Sequence, residues 1–299
     1  MKKAILFLTL CFSVTFIGFA QQSAQQAGSF PPNPVEKPGW KLTFQDEFDR
    51  PKLNDALWYP AYRTGRKEHF KRIGIESRWY DNNAHYLIED GILKLRVDEN
   101  LPFRPKKEMP CVSCIMTSDH RFGETTETYQ LLEKFAQKYG WFEIRCKTVR
   151  GVPGVYSAFW LHQTDPTDQE YTPEGVRRKI GDGVIEIDIF EQWSWREKQR
   201  TDFNVHFTTD GHHACMLDFD PCEDFHVYAL EWKEGELNWY VDNKKVYTYS
   251  GQTPQKKMFI LVALFHRPDG YGGTKSEPDQ LTFPKDFEID YIRVYQAEH

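Results

Sequence analysis

The stretch Val184-Ile185-Glu186-Ile187-Asp188-Ile189-Phe190-Glu191-Gln192-Trp193 has the Ile, Val and Phe content of a buried β-strand, yet it carries three carboxylates. Acidic side chains are almost never fully buried without partners, so three in one apolar strand call for a cleft, a metal or catalysis. Side chains alternate along a strand, which puts Glu186 and Asp188 on one face. Strict alternation would send Glu191 to the opposite face. One extra residue, a β-bulge around Ile189-Phe190, brings it back, and bulges of this kind often re-aim side chains beside active sites. The pattern is then E-x-D-x-x-E, with all three carboxyl groups lining one concave surface.

Two facing carboxyl groups are the minimum equipment for cleaving a glycosidic bond. In a retaining enzyme one attacks the anomeric carbon and the other protonates the leaving oxygen, the two lying about 5–5.5 Å apart. Across the bulge Glu186 and Glu191 are on the order of 13 Å apart at Cα, and two Glu side chains leaning together close most of that gap. Asp188 between them is placed to hold a proton or a hydrogen bond that keeps the two Glu pKa values apart. The competing reading, an exposed edge strand or a cation site, fits poorly with such apolar flanks.

The string Glu186-Ile187-Asp188-Ile189-Phe190-Glu191 resembles the active-site strand of glycoside hydrolase family 16 in its bulged form. Further landmarks occur in the family's order. They include Trp40-Lys41-Leu42-Thr43-Phe44-Gln45-Asp46-Glu47-Phe48-Asp49, Asp90-Gly91-Ile92-Leu93, Tyr139-Gly140-Trp141-Phe142-Glu143, Ser157-Ala158-Phe159-Trp160-Leu161 and Ile289-Asp290-Tyr291-Ile292-Arg293-Val294-Tyr295. The resemblance implies an all-β fold, a jelly-roll sandwich of two curved antiparallel sheets of the concanavalin-like kind. It also implies retaining cleavage of a β-linked polysaccharide, with Glu186 as nucleophile, Asp188 as assisting carboxylate and Glu191 as acid/base. No cofactor is needed for that chemistry. The resemblance further implies a structural calcium on the convex side, held by the Glu47 carboxylate, the Gly91 carbonyl and the Asp290 carboxylate.

Three other residues fall near the expected cleft. Trp160 sits in the strand beside the catalytic one, and either stacks on sugar or belongs to the core. Trp193 follows Glu191 by two and is expected to stack on sugar. His206, in the next strand, is either a substrate contact or a satisfied structural histidine.

The bulk properties agree. The chain has 299 residues and one composition regime, as one large β domain would. Its 9 Trp and 15 Tyr exceed what a core alone needs, and these side chains stack on sugar rings. A net charge of −6 argues against a nucleic-acid partner, and mildly against a heavily sulfated substrate. A monomer acting on a polysaccharide or oligosaccharide is expected.

Residues 1–20 read as a secretory signal peptide, with Lys2-Lys3, an apolar run and Gly18-Phe19-Ala20 as cleavage site. The run is short for a membrane span, and the expected location is periplasmic, cell-surface or secreted. Cys11 raises a lipoprotein alternative that Leu8-Thr9-Leu10 does not support. Residues 21–38 read as a flexible lead, and 39–299 as the catalytic domain. Cys111-Val112-Ser113-Cys114 is read as a local disulfide or free thiols, and Cys215 with Cys222 as closing a hairpin or unbonded. Residues 124–138 have helical spacing at Tyr129, Leu132, Phe135 and Ala136. Four polar segments, residues 65–78, 100–114, 165–179 and 266–283, are expected as rim loops that set the substrate.

On substrate, the bulged form resembles laminarinases, agarases, porphyranases and κ-carrageenases. β-1,3-Glucan is the first expectation. Val155-Tyr156-Ser157 departs from the laminarinase Trp-Pro before Ala-Phe-Trp, so a galactan or a mucin-type galactose–N-acetylglucosamine glycan is the alternative. A non-catalytic sugar-binding sandwich is more distant, because it has no need of three cleft carboxylates.

Overall fold

Alternating and continuous apolar runs divide the chain into eighteen strands among the residues described by the computed structural model. Those residues are 28–60, 86–98, 111–122, 129–150, 153–164, 169–171, 177–179, 186–193, 195, 197–206, 211–267 and 282–298. A six-stranded antiparallel sheet carries the carboxylates. Its spatial order is β13 (Gly211–Met216), β12 (Arg200–His206), β11 (Glu186–Gln192), β8 (Val155–Gln163), β17 (Met258–His266) and β4 (Cys111–Met116). Against it lies an eight-stranded sheet: β16 (Lys244–Tyr249), β15 (Glu236–Val241), β14 (His226–Lys233), β7 (Gly140–Lys147), β18 (Lys285–Ala297), β3 (Ile92–Val97) and β2 (Tyr86–Glu89), with β1 (Trp40–Asp46) also paired to β18. Two small hairpins complete the set, β5 (Ser118–Phe122) with β6 (Tyr129–Glu133), and β9 (Gln169–Tyr171) with β10 (Arg177–Lys179). The chain is the all-β sandwich its sequence implies, and no helix occurs among the described residues.

The central strands explain why the cleft has a rigid floor. Met258-Phe259-Ile260-Leu261-Val262-Ala263-Leu264-Phe265-His266 is buried at every position, as a strand covered on both faces must be. Met258, Ile260, Val262 and Leu264 enter the core between the sheets, while Phe259, Leu261, Ala263 and Phe265 build a second apolar layer on the carboxylate face. From the opposite sheet Trp232 and Trp239 are fully buried in the main core. Each such ring removes about 150–250 Å² from water, worth roughly 4–6 kcal/mol of transfer free energy.

Three expectations need correction. Of the segment read as a helix, residues 124–128 lie outside the described residues, and Tyr129–Glu133 instead form β6, paired residue for residue with β5, before Gln137 bridges to Met258. Lys134 and Phe135 both donate their amides to Thr117 O. Long-range pairing thus supplies the backbone hydrogen bonds that a local helix would have made, and propensity is a weak prior against it. Second, β4 begins at Cys111, inside a segment expected as a loop. Cys111 and Cys114 stand three residues apart on an extended strand, roughly 10 Å at Cα, too far for a disulfide. Cys215 carries a free thiol, so it does not close a hairpin with Cys222.

Third, residues 28–38 are not a free lead. Phe30 N donates to Phe225 O, the Arg145 and Arg293 side chains donate to the carbonyls of Phe30 and Asn33, and the Tyr295 hydroxyl donates to Val35 O. The segment is tied to β7, to β18 and to Phe225, which precedes β14. Residues 1–27 lie outside the described residues.

Candidate active site

Sheet register, not sequence spacing alone, assembles the site. Across β8, β11 and β12 the pairing gives three rungs on one face: His162–Glu186–His206, Trp160–Asp188–Asn204 and Ala158–Glu191–Asp202. Between the second and third rungs β11 has two residues, Ile189 and Phe190, against one on each neighbour, Phe159 and Phe203. This is the bulge expected from the spacing. Ile189 and Phe190 are both fully buried in the inter-sheet core, which is what returns Glu191 to the face of Glu186 and Asp188.

The carboxylates are held by polar partners on β12. His206 Nε2 lies 3.0 Å from Asp188 Oδ2 and 3.7 Å from Glu186 Oε1, so one imidazole bridges two acids. Burial opposes a charge on His206, but its bond to Asp188 and the charges of Asp188, Glu186 and Glu191 outweigh it and push its pKa up to about 10. Burial raises the Asp188 pKa as well, and the His206 bond pulls it back. Glu191 is held well above the usual carboxylate range, first by burial and then by the charges of Asp188 and Glu186. Three acids in one apolar site therefore differ in environment. One stands beside a cationic ring, and another is desolvated among negative charges and biased toward its protonated form.

Asn204 Nδ2 donates to Glu191 Oε2 at 2.8 Å, and Arg200 forks onto the buried carboxylate of Asp202. The site therefore contains more than the sequence reading named. Asn204, Asp202, His162 and Arg200 all join it, and His206 enters as a partner of the acids. The signal for the β12 residues was present: Arg200-Thr201-Asp202-Phe203-Asn204-Val205-His206 places a polar side chain at every second position. Nothing local marked His162, which joins through register.

The expected aromatic contacts share the carboxylate face but are packed. Trp160 and Trp193 are only 4% and 8% exposed. Tyr156 stands between Trp193 at 4.1 Å and Phe265 at 4.6 Å, all three rings nearly parallel, and Trp160 leans on Phe265. Both indoles are packed among neighbouring rings, Trp193 with one face stacked on Tyr156. Glu186, Asp188 and His206 offer ligand atoms within 4.8 Å of one another, and the contact between His206 Nε2 and Asp188 Oδ2 already engages two of them.

The profile of the glycosyl hydrolases family 16 matches residues 76–292. The chain belongs to glycosyl hydrolases family 16. This family 16 chain is 23% identical over 289 residues to glucan endo-1,3-β-glucosidase A1 of Niallia circulans, covering 87% of this chain and 38% of that one. It is 25% identical over 315 residues to κ-carrageenase of Pseudoalteromonas carrageenovora, covering 96% and 72%. The chain thus spans well under half of the first relative's length and nearly three quarters of the second's. Among solved structures it is similar to a GlcNAcα1-4Gal releasing endo-β-galactosidase from Clostridium perfringens, with a TM-score of 0.70, 25% identity and coverage of 91% and 65%. It also resembles the catalytic domain of a laminarinase from Thermotoga petrophila RKU-1, with a TM-score of 0.65, 22% identity and coverage of 87% and 99%.

The convex-side set behaves differently from the family expectation for calcium. Glu47 uses both carboxylate oxygens on Arg293, at 2.7 Å each, and Asp290 pairs with Arg145 at 2.6 Å. Gly91 lies in the left-handed turn joining β2 to β3. Each carboxylate is already neutralised by a guanidinium, so this donor set does not fit a divalent cation as it stands.

Proposed function

We propose that this chain is a retaining endo-β-glycanase in which Glu186 attacks the anomeric carbon, Glu191 protonates the leaving oxygen and then activates water, and Asp188 with His206 orients the nucleophile. The observation that carries the reading is the bulge between Asp188 and Glu191, which returns the third acid to the face of the first. The environments match the roles. Glu191, desolvated among negative charges, is suited to carry the proton that a general acid must hold. Glu186 Oε1 lies 3.7 Å from His206 Nε2, a partner on β12 placed to orient the nucleophile this role assigns to it. A second proposal is export through the signal-like residues 1–20.

Two substrate classes compete. β-1,3-Glucan draws support from the glucanase and laminarinase relatives. A β-galactoside backbone draws support from the κ-carrageenase match over nearly the whole chain and from the likeness to an endo-β-galactosidase. Tyr156 also favours the latter, since Val155-Tyr156-Ser157 replaces the laminarinase Trp-Pro and Tyr156 sits within the aromatic wall. We therefore place galactose-containing glycans first and β-1,3-glucan second, reversing the sequence expectation.

Glu186→Gln is expected to lose at least about a thousandfold in kcat while keeping its circular dichroism. Azide should restore turnover of an activated substrate with an inverted product. Retained hydrolysis in that variant would assign the nucleophile elsewhere. A panel of laminarin, lichenan, agarose, porphyran, κ-carrageenan and mucin glycans decides the substrate: product from laminarin alone would reject the galactoside reading.

A further inference from the structure

Behind Glu191 a line of polar contacts runs outward to solvent through residues that no step above uses. Asn204 Nδ2 donates to Glu191 Oε2 at 2.8 Å, and Asn204 Oδ1 lies 2.6 Å from His212 Nδ1 on β13. The same imidazole directs Nε2 at Asp202 Oδ1, 3.3 Å away, and Arg200 Nη2 donates to that oxygen at 2.6 Å. Register makes the line inevitable. Asn204 pairs with Asp188 on one side and with His212 on the other, while Asp202 pairs with Glu191. His212 is 55% exposed and Asp202 only 3%, so the line begins at the surface and ends at a buried acid.

A carboxamide has a donor end and an acceptor end, and Glu191 responds oppositely to each. The –NH₂ end stabilises the carboxylate, whereas the C=O end accepts a proton from the carboxylic acid and stabilises that form. Which end Glu191 meets is decided by what stands at the other end. The His212 ring faces an oxygen at both nitrogens, Asn204 Oδ1 at Nδ1 and Asp202 Oδ1 at Nε2, so in its imidazolium form both N–H groups donate and the one on Nδ1 turns the Asn204 –NH₂ group toward Glu191. A neutral ring with its proton on Nε2 would turn it the other way. We propose that His212, in its imidazolium form, is a positioning residue, which fixes the Asn204 amide with its donor end on Glu191 and so limits how tightly Glu191 holds its proton. Asp202, braced by Arg200, holds the ring in place through Nε2.

The proposal rests on the acid/base reading of Glu191, and it gives that residue a counterweight. Burial and the Asp188 and Glu186 charges all favour protonated Glu191, and Asp202 adds to them. An acid/base must also give the proton away and take it back within one turnover, so over-stabilising the acid would slow the first half of the reaction. The groups facing Glu191 are Asp188 and Glu186 on its own strand, Asp202, Asn204 and His206 on β12, and Ala158 on β8. His212 acts on it through Asn204.

Protein labelled with ¹³Cδ glutamate and titrated by NMR tests this without substrate, with the Glu191 signal assigned by its loss in Glu191→Gln. His212→Ala frees the amide to turn its carbonyl toward Glu191, and the Glu191 midpoint is expected to rise by about one pH unit, the size of one charge-assisted hydrogen bond. His212→Lys restores a donor-only group facing Asn204 Oδ1 and is expected to return the midpoint toward the wild-type value. The exposed site lets both variants fold, which a thermal melt verifies. An unchanged midpoint in His212→Ala, or the same rise in both variants, would overturn the proposal. Because no turnover is measured, a failure here is distinct from a failure of the glycanase assignment. That assignment is judged by Glu186→Gln.

Discussion

The indole Nε1 of Trp239, on the sheet that carries none of the three clustered acids, donates a 3.0 Å hydrogen bond across the core to the backbone carbonyl of Asp188. Asp188 is the residue at which register shifts against both neighbouring strands. The convex sheet therefore reaches through the sandwich to hold the bulge that aims Glu191. Trp239→Phe keeps the apolar ring and deletes the donor. It should lower the unfolding free energy by about 1–3 kcal/mol in urea titrations, the usual effect of leaving a buried carbonyl unpaired. It should also reduce kcat more than KM rises, because Asp188 and Glu191 lose their fixed separation. Normal kcat in a destabilised variant would show that packing alone maintains the bulge.

On the acid/base role proposed for Glu191, the alkaline limb of the activity profile should report its loss of the proton that leaving-group departure needs. The Asp188 charge is the largest influence on Glu191 after burial and raises its pKa. Asp188→Asn removes that charge, so the limb of kcat/KM should move to lower pH in addition to any loss of rate. A limb that stays in place, or moves up, would remove Asp188 from the field acting on Glu191.

His206 supplies a pH dependence of stability whose sign is fixed. Its folded pKa, about 10, lies above the ordinary value of 6.5. The charged ring's contribution is thus fully present below about pH 6.5 and is lost as pH rises toward 10. The gap in melting temperature between wild type and His206→Ala should narrow steadily from pH 6 to about pH 10. A gap independent of pH over that range would mean that the ring acts as a neutral hydrogen-bonding group.

On the convex side, the Arg293 side chain is 5% exposed and joins the Glu47 carboxylate to the Asn33 carbonyl. Arg293→Met should cost about 2 kcal/mol, less than for a fully buried pair because Glu47 remains partly hydrated. Residues 28–37 should become more open to proteolysis at the same time. A chelator should leave the wild-type melting temperature unchanged if guanidinium groups neutralise Glu47 and Asp290. A fall reversed by calcium would reinstate the cation site.

The stretch of sequence 184–193 determined by itself the class of the fold and the position of the bulge. Three acids at that spacing in an apolar run can share a face only if one residue is extra, and alternation is a local rule. The polar members of β12 were legible in the same way, by their period of two. What tertiary structure alone decided was who stands beside whom. His162 and Asn204 join the acids, and His212 joins Asn204, because the register between strands is set by core packing over long sequence separations. The same pairing turned residues 129–133 from an apparent helix into a strand, and it satisfied the amides of 134 and 135 from Thr117. It also tied residues 28–37 to arginines more than a hundred positions away, and from composition alone that segment read as flexible. Periodicity is written along the chain and can be read there. Register, neutralisation of charge and the direction of a carboxamide depend on partners that only the folded sheet brings within hydrogen-bonding distance.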